Sequence, residues 1–504
     1  MLLRSKTLLF GIAAGALALI LIGPPIFHLA RTTYRDRAAI EKLPHGYADD
    51  VSRMNKTRVA ENWDVPSNVD EAERKLRELL HRAQESGLHV SIAGARHSMG
   101  GQTIYPGGIN INMRPLNGMG LDEARNLLHV QAGATWAEII PYMDKHGRSI
   151  QVMQSDNAFT VGGSLSVNCH GWQYGRPPVA STVESFRLMK ADGKVVRCSR
   201  SENKELFSLA LGGYGLFGVI LDADLHVVAN ERLRLEQALV PLGRAMQAFD
   251  RKIREKPGVR MVYARLNTTP ANIFDEVLIN MFYPDSGPIP QLVQADSRWM
   301  ARAVFRGSAG NDYGKGMRWE AETKVLPYLQ GTVFSRNQLM NDSPEWYLDR
   351  SAETTDILHE YFVPREGAGS FLLQAKKIIR GHNADLLNVT VRDVEEDPDT
   401  FLRYADKHMI AFVMFFSQPR TEQGDRKMQD ITTELVDAAL KVGGRYYLPY
   451  RLHATVEQFH RAYPQSEEFF RLKRQYDPQE IFQNQFYIKY ADHAARSGDL
   501  STMR

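Results

Sequence analysis

The sequence predicts an α+β protein, not a doubly wound parallel sheet, and three observations carry that reading. Strand-like and helical segments are mixed along the chain without regular βαβα alternation. Glycine-bearing segments punctuate residues 93–220, and the first of them, at 93–102, is neither a dinucleotide G-x-G-x-x-G nor a P-loop. From about Asn230 to Gly444 the texture changes: Met, Phe and Tyr are frequent and no glycine-rich signature appears. A length of 504 residues points to about two or three domains. Lys+Arg 62 against Asp+Glu 59 leaves a net charge of +3, which offers no basic field for nucleic acid. Two cysteines, Cys169 and Cys198, cannot build a disulfide scaffold or a four-ligand zinc site. A mean hydropathy of −0.36 excludes a multi-span membrane protein.

One local feature breaks that average. Residues 8–30, LLFGIAAGALALILIGPPIFHLA, carry no charge, and Arg4 and Lys6 precede them. At ~1.5 Å per residue this run reaches about 35 Å, enough to cross a hydrocarbon core. It reads as an uncleaved N-terminal transmembrane helix, with a removed signal peptide as the alternative. Pro24 and Pro25 would kink or end the helix and leave Leu8–Ile22 as its strong part. Cations lie on both flanks, so the positive-inside rule does not decide which side the body faces. Residues 1–45 are therefore anchor and connector, and the expected location is the inner membrane of a bacterium.

The soluble elements follow in order. Asp70 to Ser86 place Ala72, Leu76, Leu79, Leu80 and Ala83 at helical spacing, and Gly87 supplies the stop. His89–Ala93 is a short apolar strand. Strand-like ININ (109–112) and LLHVQAGA (127–134) precede an amphipathic helix at Trp136–His146. A glycine-rich turn is expected at 160–171, and FRLMKADGKVVRCS (186–199) reads as a hairpin around Asp192-Gly193.

Ala93-Gly94-Ala95-Arg96-His97-Ser98 follows a strand and is dense in small residues, so its backbone N–H groups can approach an anion such as a pyrophosphate. Residues 155–171, with Ser155, Thr160, Gly162, Gly163, Ser166, Asn168 and His170, mix glycine, hydroxyl and amide without an apolar face. That composition suits close contact with a polar cofactor. The third segment, 212–220, brings Gly215 and Gly218 into Val219 and Ile220.

The order of these segments resembles the FAD-binding domain of the vanillyl-alcohol oxidase and p-cresol methylhydroxylase (PCMH-type) superfamily. Its V-x-P strand, helix and G-x-x-H-S are similar to residues 65–98, and T-V-G-G-x-L-S-x-N-x-H-G is matched at 160–171. A-D-G-x-V, N-x-E-L-F and G-G-x-G-x-x-G-V-I are matched within 191–220. Y-P, D-P and I-F-x-N at 463–484, ending on Asn484, are similar to the return segment of aldonolactone and sugar-alcohol oxidases. The stretch from Gly443 also resembles the decaprenylphosphoryl-ribose oxidases.

The resemblance implies a two-subdomain FAD-binding domain at 46–229, an inserted α+β substrate (cap) domain at 230–444, and a return to the flavin domain at 445–504. It implies FAD bonded through its 8α carbon to His97, the histidine of G-x-x-H-S. Ala158-Phe159 stands where doubly linked members carry cysteine, which argues against a second bond; Cys169 reads as a small buried residue. Tyr450, Arg451 and His453 are the catalytic candidates, although the Trp and Lys of the aldonolactone-oxidase R-x-H-W-x-K are absent. The cap gives no ranked pattern among residues such as Arg260, Tyr263, Arg265 and Tyr361. The implied reaction is hydride transfer from a CH–OH group of a sugar, polyol or aldonolactone to flavin N5. A lipid-linked sugar or an amine such as a cytokinin is the alternative substrate, and oxygen, a quinone or a protein would take the electrons.

Overall fold

The computed structural model describes residues 23–37, 40, 42–293, 298–329 and 331–491. Most of the expected transmembrane run, residues 8–22, lies outside them. Residues 23–35 are helical, Pro24 and Pro25 included. Among the described residues no helix is long and apolar enough to cross a membrane.

The helix Val69–Glu85 starts where the Asn68 side chain accepts from the backbone of Asp70 and Glu71. It buries the five small and apolar residues expected at that spacing. It packs with a three-stranded parallel sheet in the order Glu61–Asp64, Ile109–Asn112, Val90–Ala93. The distant C-terminal segment completes this unit: Val90 N–H donates to Ile481 (2.7 Å) and Gln483 N–H donates to Val90 (3.0 Å).

A second, antiparallel sheet holds Val183–Met189, Val195–Ser199 and Val219–Ala229 beside Leu127–Gln131 and Met119–Asp122. The expected hairpin forms, with Gly193 at φ +76° in the tight turn that only glycine adopts freely. The segment at 160–171 is not simply a turn. Val161–Ser166 makes a short helix, because the Thr160 hydroxyl accepts from Gly163 N–H and starts it despite two glycines.

The third sheet has eight antiparallel strands: Val333–Ser335, Arg232–Pro241, Glu276–Pro284, Met261–Leu266, Asp385–Val394, Met409–Pro419, Thr354–Pro364 and Arg445–Tyr446. Alternation gives its two faces different tasks. Phe412 packs on Phe371 of the helix Ala368–Gly381, whereas Phe415 packs on Phe305 of the helix Trp299–Arg306. The same parity puts Glu360, Val413, Thr390 and Arg265 in one cross-strand row on the Phe415 face.

The return segment is fixed by a fully buried ion pair, Lys473 Nζ to Asp477 Oδ2 at 2.5 Å, with side chains 0% and 2% exposed. Burial lowers the Lys473 pKa even against this partner. Asp477 also accepts from the Ile481 and Phe482 backbones, just where the chain meets Val90. Replacing Asp477 with Ala strands a buried ammonium and releases that junction; urea unfolding is expected to show a loss of about 3–5 kcal/mol.

Candidate active site

A cavity of about 820 Å³ lies between the glycine-bearing segments and the Phe415 face of the cap sheet. Its walls include Gly94, Ala95, Arg96, His97 and Ser98 from the first loop. Ser155, Thr160, Gly162, Gly163, Ser166 and His170 come from the second segment, and Gly215, Gly218 and Ile220 from the third. The loops touch so closely that a Cβ on Gly94 would overlap the Thr160 hydroxyl, and one on Gly162 would lie 2.8 Å from the Ala132 methyl. Arg96 and Tyr214 hold positive φ (57° and 55°), a strained conformation that turns each loop at the cavity edge.

The cradle fits an FAD. It presents glycine backbone, hydroxyls and apolar walls along one cleft, and the buried Ser98 Oγ, His170 Nδ1 and Arg392 Nε lack partners within the protein. His97 stacks on Phe159 with ring centroids 4.3 Å apart. Burial lowers its pKa to about 4, so its imidazole is neutral at physiological pH. Cys169 lines the same cavity, and burial pushes its thiol up to about 12.

Across the cavity stands a buried polar chain. Glu360 Oε1 faces His170 Nε2 at 2.5 Å, and Tyr450 donates its hydroxyl to Glu360 Oε2 at 3.1 Å. Burial raises the Glu360 pKa, but His170, Arg392 and Tyr450 outweigh it and hold the carboxyl below its usual range. Burial and that carboxylate push Tyr450 well above the ordinary phenol value. Arg392 donates to the His170 carbonyl (3.1 Å) and to Ser155 Oγ (2.7 Å), tying the cap sheet to the second segment. Further along, Arg265 donates to Thr390 Oγ1 at 2.5 Å, and Arg318 to Asn388 Oδ1 at 2.6 Å. Tyr263 and Arg265 reach the cavity; Tyr361 packs on the opposite face against Phe371, and Arg260 pairs with Glu231 outside the cavity wall.

The other sequence candidates sit behind the wall. Ala93 is buried in its strand, and Val219 is core. Asn168 bridges Asp397 and the Ala180 N–H, and Asn484 donates to the Tyr214 carbonyl, so both brace cavity loops from outside. Arg451 and His453 turn away from the cavity. Arg451 pairs with Asp425 (2.7 Å) and Asn55 (2.8 Å), and His453 engages Asp425 and Thr432 with its two ring nitrogens. Of the three catalytic candidates, only Tyr450 faces the cavity. Glu360 and Arg392 were not singled out from the sequence. The one usable signal was a lone Glu inside the apolar strand TTDILHEYFVP and the period-2 trio Asn388, Thr390, Arg392.

A family model described as "FAD binding domain" matches residues 70–199, and one described as "D-arabinono-1,4-lactone oxidase" matches 266–490. L-gulonolactone oxidase of Bos taurus is 22% identical over 470 residues, 89% of this chain and 99% of that protein. Decaprenylphosphoryl-beta-D-ribose oxidase of Mycolicibacterium smegmatis is 23% identical, covering 81% and 90%. Cytokinin dehydrogenase 10 of Oryza sativa subsp. japonica is 26% identical, covering 80% of each chain.

The Asp425 cluster carries a pH signature. Burial raises its carboxyl, but His453 and Arg451 outweigh that and hold it well below the usual aspartate value of 3.8. A depressed carboxyl stabilises the fold above its unfolded pKa and loses that contribution as pH falls. Asp425→Asn should cost about 1–3 kcal/mol in urea unfolding at pH 7. The deficit should shrink on acidification below about pH 4, with little change in turnover at pH 7.

Proposed function

As a member of the PCMH-type FAD oxidoreductase superfamily this chain is an FAD-linked oxidase or dehydrogenase, and we propose that it oxidises a CH–OH group of a sugar, polyol or aldonolactone. The observation that carries this reading is the buried Glu360 held between His170 and the Tyr450 hydroxyl in the cavity that also contains His97. The match to the D-arabinono-1,4-lactone oxidase model across the cap and return segment supports it. When bound, FAD supplies the acceptor for an electron pair.

The chain's own residues then have distinct tasks. Tyr450 stays a phenol and spends its proton on Glu360, leaving its oxygen able to accept from a substrate hydroxyl. Glu360, kept ionised by its partners, is the proton acceptor behind it, and His170 holds that carboxylate in place. Thr390, Asn388 and Arg392, spaced by two along one strand, offer the polar wall a polyhydroxy substrate needs. His97, neutral and stacked on Phe159, is the assigned point of covalent attachment. The apolar run 8–30 is assigned as the tether of the body to a membrane.

Aldonolactones and polyols are expected to bleach the flavin of the purified protein under anaerobic conditions; a response to neither class overturns the substrate assignment. His97→Ala should leave FAD extractable by denaturant, and flavin that stays attached by mass spectrometry would place the bond elsewhere. Glu360→Gln should slow anaerobic flavin reduction by about 10²–10⁴-fold, and Tyr450→Phe by about 10²-fold.

A further inference from the structure

We propose that the cap face around the cavity mouth is seated on an anionic lipid surface, so that the cavity opens toward the membrane. This rests on the oxidoreductase reading only in taking that mouth as the substrate's entrance. Met300, Val325 and Leu326 line the cavity and are also exposed, so the rim itself is apolar. Trp299 beside Met300 and Tyr328 beyond Leu326 extend it outward, and Tyr328 is 86% exposed. Soluble surfaces scatter such residues singly; gathered at a cavity mouth they mark an interaction face.

The occupant is identified by what adjoins this face. The helix at residues 23–35 packs on the same part of the cap through its inward residues. His28 Nε2 lies 3.0 Å from the Gly307 carbonyl, its ring meets Tyr313 edge-on at 5.4 Å, and Asp36 pairs with Arg302, one turn along from Trp299. Its outward face is left with Phe27, 70% exposed, and Tyr34, interleaved with exposed Arg31 and Arg35. Aromatic and aliphatic side chains mixed with arginine are the composition of a surface that lies at a headgroup boundary. Gly23 lies about 8 Å along the helix from His28, and in the sequence it is preceded by the uncharged run Leu8–Ile22. An apolar segment departing there delivers the rim to the bilayer that takes the segment up.

The test uses the full-length chain in vesicles of phosphatidylglycerol and phosphatidylethanolamine. Cys169 and Cys198 are buried, so a cysteine introduced by Tyr328→Cys can be labelled selectively with a polarity-sensitive fluorophore. Leu373→Cys is the control. Leu373 is 61% exposed on the helix Ala368–Gly381, which covers the other face of the cap sheet. Spin-labelled lipid chains should quench the label at 328 at least about threefold more than that at 373. Equal quenching overturns the proposal. So does a shift at 328 that grows with protein concentration in the absence of lipid, which would show a second copy on this face. A substitution-light measurement guards against misfolded variants. Brominated lipid should quench wild-type fluorescence more than that of Trp299→Phe, and identical quenching counts against the proposal. Neither readout involves turnover, so their failure is distinguishable from a failure of the substrate assignment.

Discussion

Glu360 belongs to the cap sheet, His170 to the second glycine segment and Tyr450 to the return toward the C-terminus, and one carboxylate holds all of them. Taking a carboxylate out of water costs several kcal/mol unless its oxygens are matched. Here each oxygen has a partner from a different stretch of chain. The carboxylate therefore stays ionised only when cap, flavin-side loops and return segment are assembled together. Arg392 repeats the logic from the strand two places along the sheet, reaching across to the His170 carbonyl and Ser155. The loop carrying His97 is drawn in from the other side: Met99 N–H donates to Pro449, and Gln102 donates to the Leu448 and Tyr450 carbonyls. The geometry that places chemistry is thus the geometry that joins the two halves.

Local structure was legible wherever a short-range rule sets it. The helix at 69–85, the strand after it and the hairpin at Gly193 follow from periodicity and turn chemistry, which act over a few residues. The glycine segments were legible as close-approach backbone because so many small and polar residues in a row have no other structural use. The short helix at Val161–Ser166 was not, since its nucleus is one threonine hydroxyl and two glycines disguise it. Direction was harder than identity. Arg451, His453 and Tyr450 occur within four positions, yet only long-range partners decide that Asp425 and Thr432 claim the first two while the third faces the cavity. Glu360 was hidden because a charged residue in an eleven-residue strand that also holds Asp356 and His359 looks like an edge position until the sheet faces are known.

The even balance of charge acquires a physical reading from the cavity. Among the wall-forming glycine segments, Arg96 is the only arginine or lysine facing the cavity, and it is committed to Asn110. Backbone N–H groups and hydroxyls must carry the recognition of a polyanionic group, and these need rigid loops more than they need charge. Rigidity is what the strained backbone at Arg96 and Tyr214 and the bracing by Asn168 and Asn484 provide. Strain of this kind persists only where surrounding contacts over-determine it.

Cys169 has a consequence of another sort. Oxidants attack thiolate, not thiol, and a sulfur whose pKa is pushed to about 12 is protonated throughout the physiological range. Among the sulfurs that line the cavity, which include Met113 and Met300, the Cys169 thiol is therefore a poor target for oxidation through its thiolate. The burial that shapes the binding wall is thus also what keeps this thiol in its less reactive form.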